Sequence, residues 1–291
     1  IITGAGRGLG RAHALAFASE GARVVVNDLG VSRDGMEGGS APADEVVSEI
    51  RDLGGEAVAD GADVADWDQA AALITRSIDN WGRLDTLVCN AGFLRDRMLA
   101  TMSEDDWDAV VRVHLKGHFA PARHAIGYWR ERAKAGKEVS ARVVMTSSGA
   151  GLMGSIGQGN YAVAKAAIAL LVVQSAAEWE RYGVLVNGVA PDARTRMTEG
   201  VIYDVEGPEG WDEKDPANVS PLVVWLGSGG CDVTGRMFEV GGGRLSVCDG
   251  WQHGPEESVG QRGFRVTEIA AAVHDSIDEA PPPAPVYGAE G

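Results

Sequence analysis

The amino-acid sequence predicts an α/β fold: a single doubly wound domain built on a seven-stranded parallel sheet, followed by a C-terminal extension. Two observations lead to this prediction. Short β-rich runs alternate with longer helical patterns, and several of the short runs are almost continuously apolar, as in parallel strands covered on both faces. No internal repeat and no linker rich in proline or glycine occurs before residue 241, so one domain accounts for this part of the chain.

The predicted elements follow one another in strand–helix order. The chain opens on "IITG", which has the character of a strand, and runs such as "RVVVND" and "ARVVMTSS" mark six more, at residues 23–28, 56–63, 84–90, 141–148, 184–190 and 237–240. Helical patterns occupy the intervals, at about residues 8–20, 42–53, 67–80, 104–132, 160–182 and 216–227. Parallel strands joined through helices require right-handed crossovers, which place helices on both faces of the sheet.

The last fifty residues differ from the rest, and we predict a domain over residues 1–245 and a tail over 246–291. Within the tail, the helical pattern at 267–279 has an apolar stripe made of Ile269, Val273 and Ile277. The segment "PPPAPVYG" then ends the pattern. Two arrangements stay open for this tail: packing on its own domain, or docking on a neighbouring subunit.

Composition narrows the class of protein. The 291 residues are 45% hydrophobic, which is enough to bury a full core. The formal net charge of -16 disfavours nucleic acid and anionic membranes as partners. No run approaches the roughly 18 apolar residues that a membrane span needs. The three cysteines lack metal-ligand spacing, so we expect no metal site and a reduced, cytoplasmic setting.

A glycine-rich turn follows the first strand. Gly4, Gly8 and Gly10 lie where glycine permits a tight turn and the approach of a phosphate to main-chain N–H groups. The order strand, glycines, helix, strand and acidic residue is typical of a Rossmann-type dinucleotide site. The acidic residue, Asp28, can bind both adenosine ribose hydroxyls and would repel a 2′-phosphate. Although Arg7 is a cation that favours such a phosphate, Asp28 stands where the phosphate would go, so we expect NAD rather than NADP.

A tyrosine and a lysine begin the helical pattern at 160–182. Tyr161 and Lys165 are four positions apart, so they share one face of the helix. A free phenol has a pKa of about 10, and a nearby ammonium and a cationic nicotinamide ring are both expected to lower the pKa of Tyr161. Ser148, at the end of a predicted strand, can bind the same substrate oxygen. We therefore expect Tyr161 to exchange a proton with a hydroxyl while hydride passes between substrate carbon and nicotinamide.

These motifs together resemble the short-chain dehydrogenase/reductase family over residues 1–245, with Ser148 thirteen positions before Tyr161. The matching residues are Thr3, Gly4, Gly8, Leu9, Gly10, Asn90, Ala91, Gly92, Ser148, Tyr161 and Lys165. The resemblance implies that the glycine turn, with Arg7 and Leu9, binds the cofactor phosphates. It also implies that the turn from Asn90 to Gly92 shapes the cofactor cleft, and that Lys165 holds the nicotinamide ribose.

Further positions carry over from the same family. The resemblance implies that Asp63 and Val64 contact adenine, and that the loop opening at Pro191 meets the nicotinamide amide. In this loop, "APDARTRMT" stands where many members have Pro-Gly, so the hydroxyl that binds the amide is either Thr195 or Thr198.

One position departs from the family pattern. Many members carry an asparagine in a stretch similar to "VNLKG", whereas this sequence has "VHLKG" with His114 at that position. In the family the asparagine helps to hold a proton-relay water through the helix backbone. Two interpretations of His114 stay open: a hydrogen-bonded structural histidine, or a residue that takes part in proton transfer.

The segments "VHLKG" and "APDARTRMT" and the long loop after residue 28 are similar to one branch of the family. This branch contains the (3R)-hydroxyacyl-CoA dehydrogenase unit of peroxisomal multifunctional enzyme type 2. The resemblance implies NAD-dependent oxidation of a secondary alcohol on a 3-hydroxyacyl-CoA or steroid-like substrate. It also implies a homodimer or homotetramer formed through the long helices. Two alternatives stay open, an NADPH-dependent 3-oxoacyl-carrier-protein reductase and a non-catalytic dinucleotide-binding protein. Asp28 argues against the first alternative, and the intact Ser148, Tyr161 and Lys165 argue against the second.

The residues themselves give only weak signs of the substrate. Four arginines in two loops are either a cationic patch for CoA phosphates or ordinary solvated charges: Arg95, Arg97, Arg194 and Arg196. Apolar side chains that would suit a fatty or sterol group are Leu152, Met153, Met197 and Val201.

Overall fold

A twisted eight-stranded sheet forms the centre of the computed structural model, which describes residues 1–30, 41–194, 210–248, 250–282 and 284–289. Its strands are β1 (Ile2–Thr3), β2 (Val24–Asn27), β3 (Ala57–Asp60), β4 (Thr86–Cys89), β5 (Ala141–Thr146), β6 (Val184–Pro191), β7 (Met237–Gly241) and β8 (Arg244–Cys248). They lie in the order β3-β2-β1-β4-β5-β6-β7-β8, and the first seven are parallel. The predicted doubly wound parallel sheet is therefore confirmed.

The eighth strand was not predicted from the sequence. β8 pairs antiparallel with β7 through a turn at Gly242 and Gly243, whose φ angles are 53° and 78°. Two consecutive residues with positive φ are typical of a type I′ hairpin, and glycine adopts them without strain. β8 is an edge strand with mostly exposed side chains, so it lacks the apolar run by which the other strands were recognised.

Helices cover both faces of the sheet. One apolar core lies between the sheet and α1 (Gly8–Ser19), α2 (Ala41–Asp52) and α8 (Ser220–Gly227). The second lies between the sheet and α3 (Trp67–Trp81), α5 (Gly117–Lys134) and α7 (Gly159–Trp179). Three further α-helices of the described residues are α4 (Glu104–Val111), α6 (Gly149–Met153) and α9 (Val266–Glu279). Short 3₁₀ helices lie at Leu99–Thr101, Glu180–Tyr182 and Pro216–Asn218. This arrangement brings the carboxyl ends of the parallel strands to one edge, where ligands bind in such sheets.

The helix predicted over residues 104–132 is interrupted. Between α4 and α5 the backbone forms a π-helical segment, Arg112–Lys116, which contains His114. Pro121, one turn further on, has no N–H with which to bond the carbonyl of Gly117, so the regular ladder is also incomplete inside α5. π-helical insertions are uncommon and occur often at functional sites.

One long apolar helix, α7, is buried on one side only. Within the described residues, Gly159–Tyr182 is long and apolar enough for a membrane span by length and composition, with a mean hydropathy of 1.4. Lys165 and Glu178 interrupt it, so it contains no run of 18 uncharged residues. The criterion is weak, because the core helix of a soluble protein also meets it. One side of α7 packs in the fold through Lys165, Ile168 and Val172, all buried.

The C-terminal tail contains the expected helix, α9, whose side chains are mostly exposed. Its apolar stripe, Ile269, Val273 and Ile277, is 44–62% exposed, with Val273 at 47%. The predicted boundary between domain and tail, after residue 245, falls inside β8. The division into a domain over 1–245 and a tail over 246–291 stays a prediction. Further along, the chain returns to the main body, where Tyr287 forms a bridge with Ser155.

The side chain of Trp129 tests the packing between α5 and the sheet. It is 1% exposed, and its indole N–H donates to the carbonyl of Leu84 at 2.7 Å. Because Trp129→Ala removes a large buried ring and this hydrogen bond, we expect the free energy of unfolding to fall by about 3–5 kcal/mol in urea titrations. Trp251 is fully exposed in the tail, so Trp251→Ala should change it by no more than about 0.5 kcal/mol. Equal effects of the two substitutions would contradict the packing described.

Candidate active site

The glycine turn lies at the point where β1 and β4 diverge. Gly4 has a φ of 63°, and a Cβ there would lie 2.7 Å from the Cα of Ala91, so no side chain fits. The amino end of α1 follows. Arg7 is the N-cap residue, but its side chain makes no capping hydrogen bond, and the first turn of the helix contains no acidic residue. Its first N–H groups and the positive end of its dipole therefore remain available to an anion. Such a cradle suits the pyrophosphate of a dinucleotide, for which the main-chain N–H groups of Gly8, Leu9 and Gly10 would be the donors.

Asn90 fixes the shape of that cradle. Its side-chain amide donates to the carbonyls of Thr3 and Gly4 at 3.1 and 3.2 Å. In return, the Thr3 hydroxyl accepts from the amides of Asn90 and Ala91 at 2.9 and 3.2 Å. The turn after β4 is thus tied to the turn after β1. Asn90 and Ala91 therefore fix the position of one turn relative to the other.

Asp28 stands at the carboxyl end of β2, as expected. Its carboxylate accepts from the amide of Gly6 at 2.8 Å and from that of Gly30 at 2.7 Å. The negative charge is therefore held beside the glycine turn by two main-chain donors. Arg7 is exposed on the same turn.

Asp63 and Val64 connect the loop after β3 to the π-helical segment. The Asp63 carboxylate accepts from Arg112 at 2.7 Å and from the amide of Ala65 at 2.8 Å. Val64 is 5% exposed, and a Cβ on Gly117 would lie 2.9 Å from its Cγ2. The loop predicted to contact adenine is thus held in place by the same segment that carries His114.

Ser148 and Tyr161 lie together. Ser148 follows β5 in an extended conformation, and its hydroxyl caps α6 by accepting from the amide of Ala150 at 3.2 Å. Burial raises the pKa of Tyr161, a hydrogen bond with the Ser148 side chain opposes that rise, and the charge of Asp96 adds to it. In the protein alone burial outweighs the neighbouring groups, so the pKa of Tyr161 lies above its ordinary value. The decrease expected with a bound nicotinamide stays a prediction.

Lys165 is buried beneath Tyr161. Only 2% of its surface is exposed, and its Nζ lies 5.6 Å from the centre of the Tyr161 ring. The ammonium donates to the carbonyl of Thr146, the last residue of β5, at 2.6 Å. Burial lowers the pKa of Lys165 to about 7. A proton on this side chain is therefore held weakly near neutral pH.

His114 is fully buried beside the same tyrosine. Its ring meets the Tyr161 ring edge-on, with the centres 5.1 Å apart. Its Nε2 lies 2.8 Å from the carbonyl oxygen of Phe93 and 3.2 Å from the amide nitrogen, so either tautomer can form one hydrogen bond there. Burial and the charge of Lys165 lower the pKa of His114 to about 3, so the imidazole is neutral at physiological pH. Within the described ranges its Nδ1 has no hydrogen-bond partner.

Two residues of this neighbourhood were missed in the sequence. His118 is fully buried one turn after His114, and burial and the charge of Lys165 keep its pKa well below the ordinary value. Asn160, also buried, donates to the carbonyls of Arg95 and Asp106 at 3.0 and 2.9 Å and accepts from the amide of Tyr161 at 2.8 Å. The signal for Asn160 was its position directly before Tyr161, whereas His118 gave none.

The loop after β6 is described only in part. Pro191 ends β6 opposite Val240, at the carboxyl edge of the sheet. Thr195, Thr198 and the loop residues Arg196, Met197 and Val201 lie outside the described residues. Arg194 is paired with Asp212 at 3.0 Å, so it does not act as a solvated charge. Arg95 lies 4.0 Å from Asp106.

The sequence that builds this site matches a known family of enzymes. The family model described as short chain dehydrogenase matches residues 1–204. The chain belongs to this family. The resemblance seen in the sequence is therefore confirmed.

Relatives of this short-chain dehydrogenase include a hydroxyacyl-CoA dehydrogenase and a peroxisomal multifunctional enzyme. It is 41% identical over 281 residues to a hydroxyacyl-CoA dehydrogenase of Mycobacterium tuberculosis, covering 94% of this chain and 87% of that one. It is 44% identical over 244 residues to mouse peroxisomal multifunctional enzyme type 2, covering 84% of this chain and 31% of that one. The crystal structure of a short chain dehydrogenase from Mycobacterium avium has a TM-score of 0.90 and 58% identity, covering 99% of this chain and 97% of that one.

Family membership makes the protein an oxidoreductase that binds a nicotinamide dinucleotide. The uncapped amino end of α1 and the polar groups around Tyr161 are where residues of this chain would hold such a group. A bound nicotinamide supplies the acceptor or donor of hydride, so the protein needs to supply binding, orientation and a route for the proton.

The buried lysine gives a pH-dependent contribution to stability. The pKa of Lys165 is about 7 in the folded protein against an ordinary value of 10.5. Between these values the unfolded state binds more protons, so this residue makes stability rise with pH. Lys165→Met removes this contribution. We therefore expect the unfolding free energy of wild type to rise relative to that of the variant by up to about 1.4 kcal/mol per pH unit from pH 7 to 10. Urea titrations across this range measure it, and a flat or falling difference would contradict the burial of the charge.

Proposed function

We propose that this short-chain dehydrogenase oxidises the secondary alcohol of a 3-hydroxyacyl-CoA, or of a related steroid or sterol derivative, with NAD as the cofactor. The observation that carries the proposal is the cluster at the carboxyl end of β5. There, Ser148 contacts the phenol of Tyr161, and Lys165 lies beneath the ring. Hydroxyl, phenol and amine are the groups that an alcohol dehydrogenation needs to orient oxygen and move its proton.

Tyr161 is the proposed general base in the direction of oxidation and the general acid in the direction of reduction. In oxidation it takes the proton from the substrate hydroxyl while Ser148 donates a hydrogen bond to the same oxygen and orients it. Lys165 favours the phenolate electrostatically when it is protonated. With a pKa of about 7, Lys165 can also accept and release a proton near neutral pH, which suits a group that passes the proton onward.

His114 acts as a neutral group in this proposal. Its pKa of about 3 excludes an imidazolium in the working range of pH. The imidazole instead packs against the edge of Tyr161 and holds the turn after Gly92 through Phe93. Its Nδ1, which has no hydrogen-bond partner among the described residues, is the atom proposed to contact a proton-relay water. Other members of the family carry an asparagine at this position, which helps to hold that water through the helix backbone.

Asp28 supports NAD as the cofactor. Two main-chain donors hold its carboxylate next to the glycine turn, where a 2′-phosphate would meet a fixed negative charge. Asp63 and Val64 would border the adenine, and Thr195 remains a proposed contact of the nicotinamide amide.

Support for the substrate class comes from the relatives. The protein from Mycobacterium tuberculosis is named a hydroxyacyl-CoA dehydrogenase, and it matches nearly the whole of this chain. Leu152 and Met153 lie in α6, which Ser148 caps, and are partly exposed, which suits an apolar acyl or sterol group.

We also propose a homodimer or homotetramer in the cytoplasm. α5 and α7 each expose large apolar side chains: Phe119 on α5, and Val163, Leu170 and Val173 on α7, the last 48% exposed. Exposed apolar side chains of this size are typical of a surface that another subunit covers.

The state of the cysteines supports the proposed compartment. Cys89 and Cys231 are buried and form no disulfide, which fits a reducing compartment.

A substrate panel tests the proposed reaction. Reduction of NAD⁺ or NADP⁺ is followed by absorbance with a 3-hydroxyacyl-CoA, a sterol side-chain CoA ester, a free hydroxysteroid and a simple secondary alcohol. We expect the highest kcat/KM with a CoA ester and NAD⁺. Preference for NADP⁺ with a carrier-protein thioester would support the reductase alternative instead.

The control for this panel is Tyr161→Phe, which removes the phenolic hydroxyl and keeps the ring. We expect it to lower kcat by about 10²–10⁴-fold while the Kd for the cofactor stays nearly unchanged. Unchanged turnover would refute the proposed base.

A further inference from the structure

The end of the chain lies directly on the segment that follows Ser148. Residues 284–289, here called the C-terminal strap, run along residues 154–156. The amide of Tyr287 donates to the carbonyl of Gly154 at 3.3 Å, and the amide of Ile156 donates to the carbonyl of Tyr287 at 3.0 Å. Two main-chain hydrogen bonds on one residue fix the register of the strap.

The strap also makes side-chain contacts, and two glycines provide the surface for them. A Cβ on Gly149 would lie 2.9 Å from both Cε2 and Oη of Tyr287. A Cβ on Gly154 would lie 3.3 Å from Cγ1 of Val286. The Tyr287 ring therefore rests on the backbone of the residue next to Ser148, with room only for glycine beneath it.

The element under this ring cannot hold its own position. α6 has five residues, which is too short for a stable isolated helix. On one side, Gly151 packs against the backbone of Lys165. On the other side, the contact with Gly149 comes from Tyr287, with Glu239 at the edge. α6 is thus clamped between α7 and the strap, and Ser148 is its N-cap.

We propose that Tyr287 is a positioning residue that holds the Ser148 hydroxyl in register with Tyr161 by pressing on Gly149. This inference rests on the proposed function, because it assigns Ser148 the orientation of the substrate oxygen. Loss of the strap shifts α6 and the hydroxyl that caps it. It leaves the glycine turn and Asp28, on the other half of the sheet, in place. The expected deficit is therefore in kcat rather than in cofactor binding.

A double-mutant cycle tests the contact. Gly149→Ala places a methyl group against the Tyr287 ring, and Tyr287→Ala removes the ring. We expect Gly149→Ala to lower kcat about tenfold in the full-length chain and less than about twofold in the Tyr287→Ala background, because the clash is then gone. Tyr287→Phe keeps the ring and should retain wild-type kcat within about twofold. Trp251→Ala, at a fully exposed aromatic residue of the same tail, is the matched control and should change nothing.

Hydrogen exchange keeps the test independent of activity. The amide of Ile156 should be protected in wild type and in Trp251→Ala. It should exchange much faster in a variant that ends at residue 283, because its acceptor is removed. Protection that persists in this variant, or an equal effect of Gly149→Ala in both backgrounds, would overturn the proposal. A third outcome separates the two proposals. If Ile156 loses its protection as expected but neither wild type nor any variant oxidises an alcohol, the proposed function fails while the strap contact stands.

Discussion

The burial of one ammonium group at the carboxyl end of the sheet is the constraint on which the site depends. Lys165 is 2% exposed, and the hydrogen bond from its Nζ goes to the last carbonyl of β5. Removing a charge from water is costly, so its pKa falls to about 7. The same bond fixes α7 against β5, which sets the distance between Tyr161 on the helix and Ser148 after the strand.

Other parts of the fold support this arrangement. Asn160 ties the start of α7 to the loop after β4 through the carbonyl of Arg95, and to α4 through the carbonyl of Asp106. The π-helical segment brings His114 against Tyr161 and, through Arg112, holds the loop of Asp63. The segment that packs against Tyr161 therefore also holds the loop that is proposed to border the adenine.

Much of this could be predicted from the sequence. The seven parallel strands followed from apolar runs, and the order of glycines, Asp28, Ser148, Tyr161 and Lys165 followed from local spacing. The features that were missed depend on tertiary structure. β8 is too exposed to show a strand pattern, and α6 is too short to show a helical one. The π-helical segment has the apolar periodicity of an ordinary helix, and the burial of His118 depends on packing against β4 and α7. The rise in the pKa of Tyr161 in the protein alone was not predicted either, because burial cannot be read from a pair of residues four positions apart.

The ionisation of Tyr161 tests the central claim most directly. Near-ultraviolet absorbance of phenolate, taken as the difference between wild type and Tyr161→Phe, gives the pKa of this one side chain as pH is raised. The account predicts a pKa above the ordinary value in the protein alone and a clear decrease when NAD⁺ is added, because a cation beside the buried phenol favours its charged form. A pKa that is already low without cofactor, or that does not move when NAD⁺ binds, would contradict it.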